Sequence, residues 1–152
     1  MAIIAFMSFL RAPYNRTDLG LLLLRLGIGF MFILHGWPKL AGGPEKWEQV
    51  GRTMELIGIS FVPALWGFMA GAAEAIGGAL LMLGLLHRPI CILLTLTMLM
   101  ATIRHLSAGD GFSGYSHALE AAILFFALYF IGPGKYSLDE AILPTRKDRS
   151  VF

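Results

Sequence analysis

Four long apolar blocks run along this chain, separated by short breaks that hold most of its charge and proline. They cover about 19–40, 62–86, 89–106 and 116–131. Each is close to the roughly 20 residues with which an α-helix crosses the ~30 Å hydrocarbon layer of a bilayer. Inside hydrocarbon every backbone group must be satisfied within its own helix. The pattern therefore predicts an all-α fold, a four-transmembrane-helix antiparallel bundle. Thr17 and Asp18 are placed to cap the first helix, and Trp37 falls where an interfacial aromatic belt would sit. Pro38 either kinks that helix or starts its exit. The His87-Arg88-Pro89 break is so short that helices two and three must be antiparallel neighbours. Helix two is rich in small residues (Gly67, Gly71, Ala73, Gly77, Gly78), which let backbones approach closely in lipid. Gly132-Pro133-Gly134 stops the fourth helix.

The stretch between blocks one and two is polar and longer than a turn. From Glu45 to Ile57 the apolar residues Trp47, Val50, Met54 and Ile57 recur at three and four positions. That spacing predicts a short amphipathic helix between helices 1 and 2, lying on the bilayer surface or packed over the end of the bundle. Asp110-Gly111-Phe112-Ser113-Gly114 reads as a flexible outer loop able to shape an entrance. Met1–Leu10 reads as a short interfacial segment rather than a signal peptide, because its basic residue, Arg11, follows it. The tail, 135–152, is charged and predicted to lie outside the membrane. All 152 residues are expected to form a single membrane domain.

Composition sharpens this picture. Only 14% of residues are charged against 57% hydrophobic, where a soluble domain carries about 25% charge. The net charge of +2 is small and its basic residues are scattered, so no nucleic-acid partner is expected. Cys91 is the one cysteine, which excludes an internal disulfide, a CxxC pair and a cysteine-rich metal cluster. Basic residues set the orientation. Arg11, Arg16, Arg88, Lys135, Arg146, Lys147 and Arg149 share one side, against Lys39, Lys46, Arg52 and Arg104 on the other. Both termini are then expected on the cytoplasmic side of the membrane.

Two charges of opposite sign, Arg25 and Glu74, stand inside the apolar blocks. A charge at such depth is costly, so each is a candidate functional residue. Their estimated levels are within a turn or two of each other, which suggests an ion pair. That pair is either a structural pin or a polar centre for a quinone head group or a proton. A second, outer-side cluster gathers His35, Lys39, Arg104, His105, His117 and Glu120 near helix ends. Three of these are imidazoles, and with Glu120 they could hold a metal (His35, His105, His117, Glu120), pass protons, or simply be hydrogen-bonded helix ends. Met82, Met98 and Met100 read as packing rather than copper ligands. Ser116 beside His117 is too little for a nucleophile.

Several of these residues also recur as a set. Leu24-Arg25-Leu26, His35-Gly36 and Lys39, Glu74 with Gly77-Gly78, Gly84-Leu85, Arg88, and Gly132-Pro133-Gly134-Lys135-Tyr136-Ser137-Leu138-Asp139 follow one another in an order that resembles the DoxX family of small bacterial integral membrane proteins. The resemblance extends over about 19–142. It implies a four-helix membrane protein, with relatives that include a subunit of a thiosulfate:quinone oxidoreductase and proteins of redox-stress defence and thiol homeostasis. It implies no catalytic set. The function expected on this basis is a subunit in quinone-linked or redox-stress-related membrane oxidoreduction, with quinone ahead of haem or metal as the bound group. Its partners would be the lipid bilayer, a redox enzyme and further copies of the chain. The alternative is a non-enzymatic assembly, scaffold or lipid-binding protein; four spans without a repeat are few for a transporter.

Overall fold

The computed structural model describes residues 16–144. Four long helices dominate it: α1 (Thr17–Ala41), α3 (Pro63–Leu83), α4 (His87–Ala108) and α5 (Gly111–Ile131). All four are long and apolar enough to cross a membrane. A short helix α2 (Gly43–Gly51) and a 3-10 segment, Arg52–Ile57, connect α1 to α3; a last helix, α6 (Leu138–Ile142), follows α5. The all-α bundle predicted from the apolar blocks is the fold observed. Its helices alternate in direction, so the described chain starts and finishes at one end of the bundle, the α6 end. The opposite end, where α1 stops and α3 begins, is the α2 end.

Helix α3 packs chiefly on α1, and α4 chiefly on α5. Glycines make the first seam. A Cβ on Gly36 would overlap the backbone of Glu74 and Ala75, and one on Gly78 would overlap the Gly29 carbonyl. Backbone contact of this kind replaces hydrophobic burial, which gives no drive for helix association in lipid. The two halves meet through side chains, with the rings of Phe32 on α1 and Phe125 on α5 edge-on at 4.7 Å. Leu81, Leu94, Phe125 and Leu128 are fully buried at the centre. Outside, Leu23, Phe30, Ile123 and Phe130 stand exposed. Such a perimeter suits hydrocarbon and would be unfavourable in water.

Several boundaries differ from the sequence reading. Thr17 and Asp18 lie within the first turn of α1; Arg16 is its N-cap and makes no side-chain cap bond. Asp18 instead accepts a hydrogen bond from the Lys135 backbone at 2.9 Å. Helix α1 runs past Pro38 to Ala41, so the proline is not the exit. The segment 110–114 is not a loop. Gly109, at φ +74°, closes α4 in the left-handed conformation, and α5 starts at Gly111. A glycine in that conformation completes a helix cap within one residue, leaving only Gly109–Asp110 as connection. Helix α2 takes the second of its two expected placements, packed on the bundle. Its Gly51 meets Pro63, its Trp47 backbone meets Gly67, and the Trp47 indole donates to the Leu40 carbonyl at 3.0 Å. The interfacial segment expected at Met1–Leu10, and the tail beyond residue 144, lie outside the described residues.

Candidate functional site

Two polar centres form inside the apolar bundle, one near each end. At the α2 end, Gly36 brings α1 into backbone contact with Glu74 and Ala75. Lys39 follows three residues later, on the same face of the helix. Its Nζ donates to both carboxylate oxygens of Glu74, at 2.6 Å each. Glu74 is 2% exposed, whereas the Lys39 side chain keeps 33%. The ammonium thus offsets the cost of a carboxylate that its own helix cannot solvate.

This ion pair lines a cavity of about 730 Å³ between α3, α4 and the 3-10 segment. Its walls are mainly apolar, with Met54 and Ile57 above, Trp66 and Met69 on α3, and Leu96 and Met100 on α4. Polar groups are few: Thr53 and Thr97, the Lys39–Glu74 pair, Arg104 and His105. His105 Nδ1 lies 2.6 Å from Asp110 Oδ2. Arg104 is exposed and has no hydrogen-bonding or ionic partner among the described residues. An apolar chamber with a few convergent polar groups and a volume between roughly 300 and 1,000 Å³ has the form of a small-molecule site. A cation and a carboxylate at its wall can hydrogen-bond a carbonyl-bearing ligand and hold or yield a proton.

At the α6 end the buried charge is Arg25, which is fully enclosed. Its guanidinium donates to the carbonyls of Leu81 (3.5 Å) and Met82 (3.3 Å) and to that of Tyr136. The first two belong to the last turn of α3, where outward-pointing carbonyls and the helix dipole favour a cation; that of Leu81 also accepts the Gly84 backbone N–H. Asp139 adds a favourable charge interaction with it. The Asp139 carboxylate also accepts from the backbone N–H groups of Leu86 and His87, both at 2.8 Å, capping α4. Gly84, at φ +64°, is compelled by space as well as by backbone, since a Cβ there would strike Arg25 and Ser137. His87 is buried; its Nε2 lies 3.2 Å from the Leu128 carbonyl and 3.6 Å from Cys91 Sγ. The residues after α5 are thereby locked onto the bundle. The start of the tail is part of the fold rather than a free extension.

The expected Arg25–Glu74 ion pair is therefore not formed. Both charges are buried, but the glycine contacts set a register in which Arg25 is level with Leu81 and Met82. Glu74 lies seven residues earlier on α3, roughly 10 Å away along the helix. Each charge takes a different partner. The outer-side cluster also divides. Lys39, Arg104 and His105 share the cavity. His35 is exposed on α1, edge-on to Phe32. His117 and Glu120 face outward, 85% and 68% exposed, with 4.0 Å between them. Among the described residues no three histidine, cysteine, aspartate or glutamate side chains converge to hold a metal. The metal set His35, His105, His117 and Glu120 is not assembled, because its members stand on three helices and point apart.

Asp139, His87 and Asp18 escaped the sequence reading as site residues. One signal was present: Ser137 followed three residues later by Glu140 is a helix-start pattern. Ser137 Oγ accepts from the Glu140 backbone at 3.3 Å and donates to the Gly134 carbonyl at 2.7 Å.

Comparison with known proteins agrees with this architecture. The DoxX family model matches residues 20–106, which contain Arg25, Lys39, Glu74 and the cavity walls. A Bacillus subtilis protein named "Putative oxidoreductase CatD" is 33% identical over 86 residues, 57% of this chain, and the match spans 59% of CatD, less than two thirds of it. An uncharacterized membrane protein of Mycobacterium tuberculosis is 29% identical over 138 residues, with 78% of each chain covered. An uncharacterized protein of Haemophilus influenzae is 32% identical over 126 residues, 76% of this chain and 85% of its own length. No solved structure matches the chain.

Proposed function

Starting from the fact that this chain belongs to the DoxX family, we propose that it is the membrane subunit of a redox system and binds a quinone in the cavity beside Lys39 and Glu74. The observation that carries this reading is the cavity itself, an apolar chamber with an ion pair at its wall, inside a membrane bundle. The name given to the Bacillus relative points toward the same class of chemistry. A partner enzyme supplies two electrons, and two protons complete the reduction of quinone to quinol. The Lys39 ammonium would stabilise negative charge developing on a quinone oxygen. Glu74, hydrogen-bonded to it, is the group placed to exchange a proton. In this reading the α6 end faces the cytoplasm of a bacterium and the cavity lies toward the outer side of the inner membrane, following the basic-residue asymmetry.

A second reading, a non-enzymatic scaffold or lipid-binding protein, draws on the α6 end. There the guanidinium of Arg25 donates to three backbone carbonyls, as suits a structural clamp. The two readings separate in one experiment. Protein purified in nanodiscs should carry, or take up, one quinone per chain, and Glu74→Gln should weaken that binding while the bundle stays folded. Wild-type protein that neither retains nor binds quinone would leave the scaffold reading standing.

A further inference from the structure

The proposed quinone chamber has a neighbour. A second, smaller hollow of about 260 Å³ lies beside it in the α3–α4 seam, with Met69 and Leu93 lining both. From there it runs past Ala72, Ile76 and Gly77 to Leu80 on α3, opposite Ile90 on α4. No charged residue lines it. Its floor is made of small residues: a Cβ added at Gly77 would already touch Ile90, at 3.6 Å. The seam is open on its lipid side, where Ile76 is 53% exposed and Met69 43%. Phe68 and Leu80 are twelve residues apart, so the groove follows roughly 18 Å of helix from the chamber toward the α6 end.

A polar-ended chamber beside an uncharged groove open to hydrocarbon matches one kind of ligand, a compact head on a long apolar tail. We propose that the α3–α4 groove holds the isoprenoid tail of the quinone, and that the head enters the chamber sideways from the bilayer through this seam. This inference rests on the quinone reading and narrows it. It assigns the substrate to the long-tailed membrane quinones rather than to water-soluble quinones. The shared walls at Met69 and Leu93, which set the two hollows side by side, are the argument for a tail belonging to the bound head rather than an acyl chain of an unrelated lipid.

The test uses full-length protein in nanodiscs, with binding followed by quenching of tryptophan fluorescence, since Trp66 lines the chamber. Two ligands are compared: a polyisoprenyl quinone at fixed mole fraction in the bilayer, and the same ring with a methyl group in place of the tail. Ile76→Phe fills the groove from its lipid-exposed side, adds no tryptophan to the readout and leaves the chamber untouched; Ala72→Phe does so from deeper, should the first variant disturb insertion. Filling the groove should weaken the long-tailed quinone about tenfold, the loss of one well-buried apolar contact, and leave the tail-less ring unchanged. Unchanged binding of the long-tailed quinone by both variants would overturn the groove assignment while the chamber reading survived. A wild-type protein that binds neither ligand would remove the chamber reading and this inference together.

Discussion

Lys39 and Glu74, 35 positions apart in sequence and on different helices, form a bidentate ion pair with both N–O distances at 2.6 Å. The two members of the pair are not equivalent. The carboxylate is sealed in the bundle, while the lysine reaches it from a partly open position.

That asymmetry predicts unequal effects of substitution. Lys39→Met strands a buried carboxylate and should cost about 3 kcal/mol, the lower end for a broken buried pair because the ammonium is one-third open. Glu74→Gln leaves a lysine that can turn its head toward solvent, so it should cost less. Lys39→Met combined with Glu74→Leu should recover most of the loss. Thermal unfolding of the three variants in one detergent checks the order.

Arg25 holds carbonyls from two separate segments, which a planar guanidinium can span and a single ammonium cannot. Arg25→Lys should therefore free the segment after α5. Hydrogen exchange at 134–142 is expected to rise, with exchange in the middle of α5 unchanged. Protection equal to wild type would mean that the clamp does not depend on the fork.

Gly36 permits the contact that places Lys39 over Glu74. Gly36→Ala pushes a methyl group into the backbone of Ala75 and should cost at least about 2 kcal/mol. Since it moves α1 away from α3, it should also weaken quinone binding in the proposed chamber. A stability equal to wild type would show that the seam has slack.

His117 faces outward, with only a 4.0 Å approach to Glu120. His117→Ala should change stability by less than about 0.5 kcal/mol. It should leave quinone binding untouched, whereas His105→Ala, at the chamber wall, should not. Equal effects from the two would place His117 in the site.

The two buried charges show how far pattern reading reaches. Arg25 and Glu74 stand out because hydrocarbon penalises any lone charge, whatever the packing. Pairing them follows from depths counted along approximate helix ends, but on α3 the level of Arg25 and the position of Glu74 differ by about two turns. Lys39 reads as a member of the outer cluster from its place near a helix end, yet its long side chain reaches inward to Glu74. The glycines Gly111 and Gly114 give 110–114 the look of a loop, yet the left-handed Gly109 before them is enough to turn the chain.

Four membrane-crossing helices, their order and their alternation were determined by the sequence alone, since solvation of the backbone in lipid allows few other outcomes. So was the presence of costly buried charges. Which partners those charges chose, how the residues after α5 fold back to cap α4, and where a chamber opens between α3 and α4 were decided only in three dimensions. Those features depend on the glycine-to-backbone contacts that fix one helix against another to within a single turn, and no one-dimensional pattern records that distance.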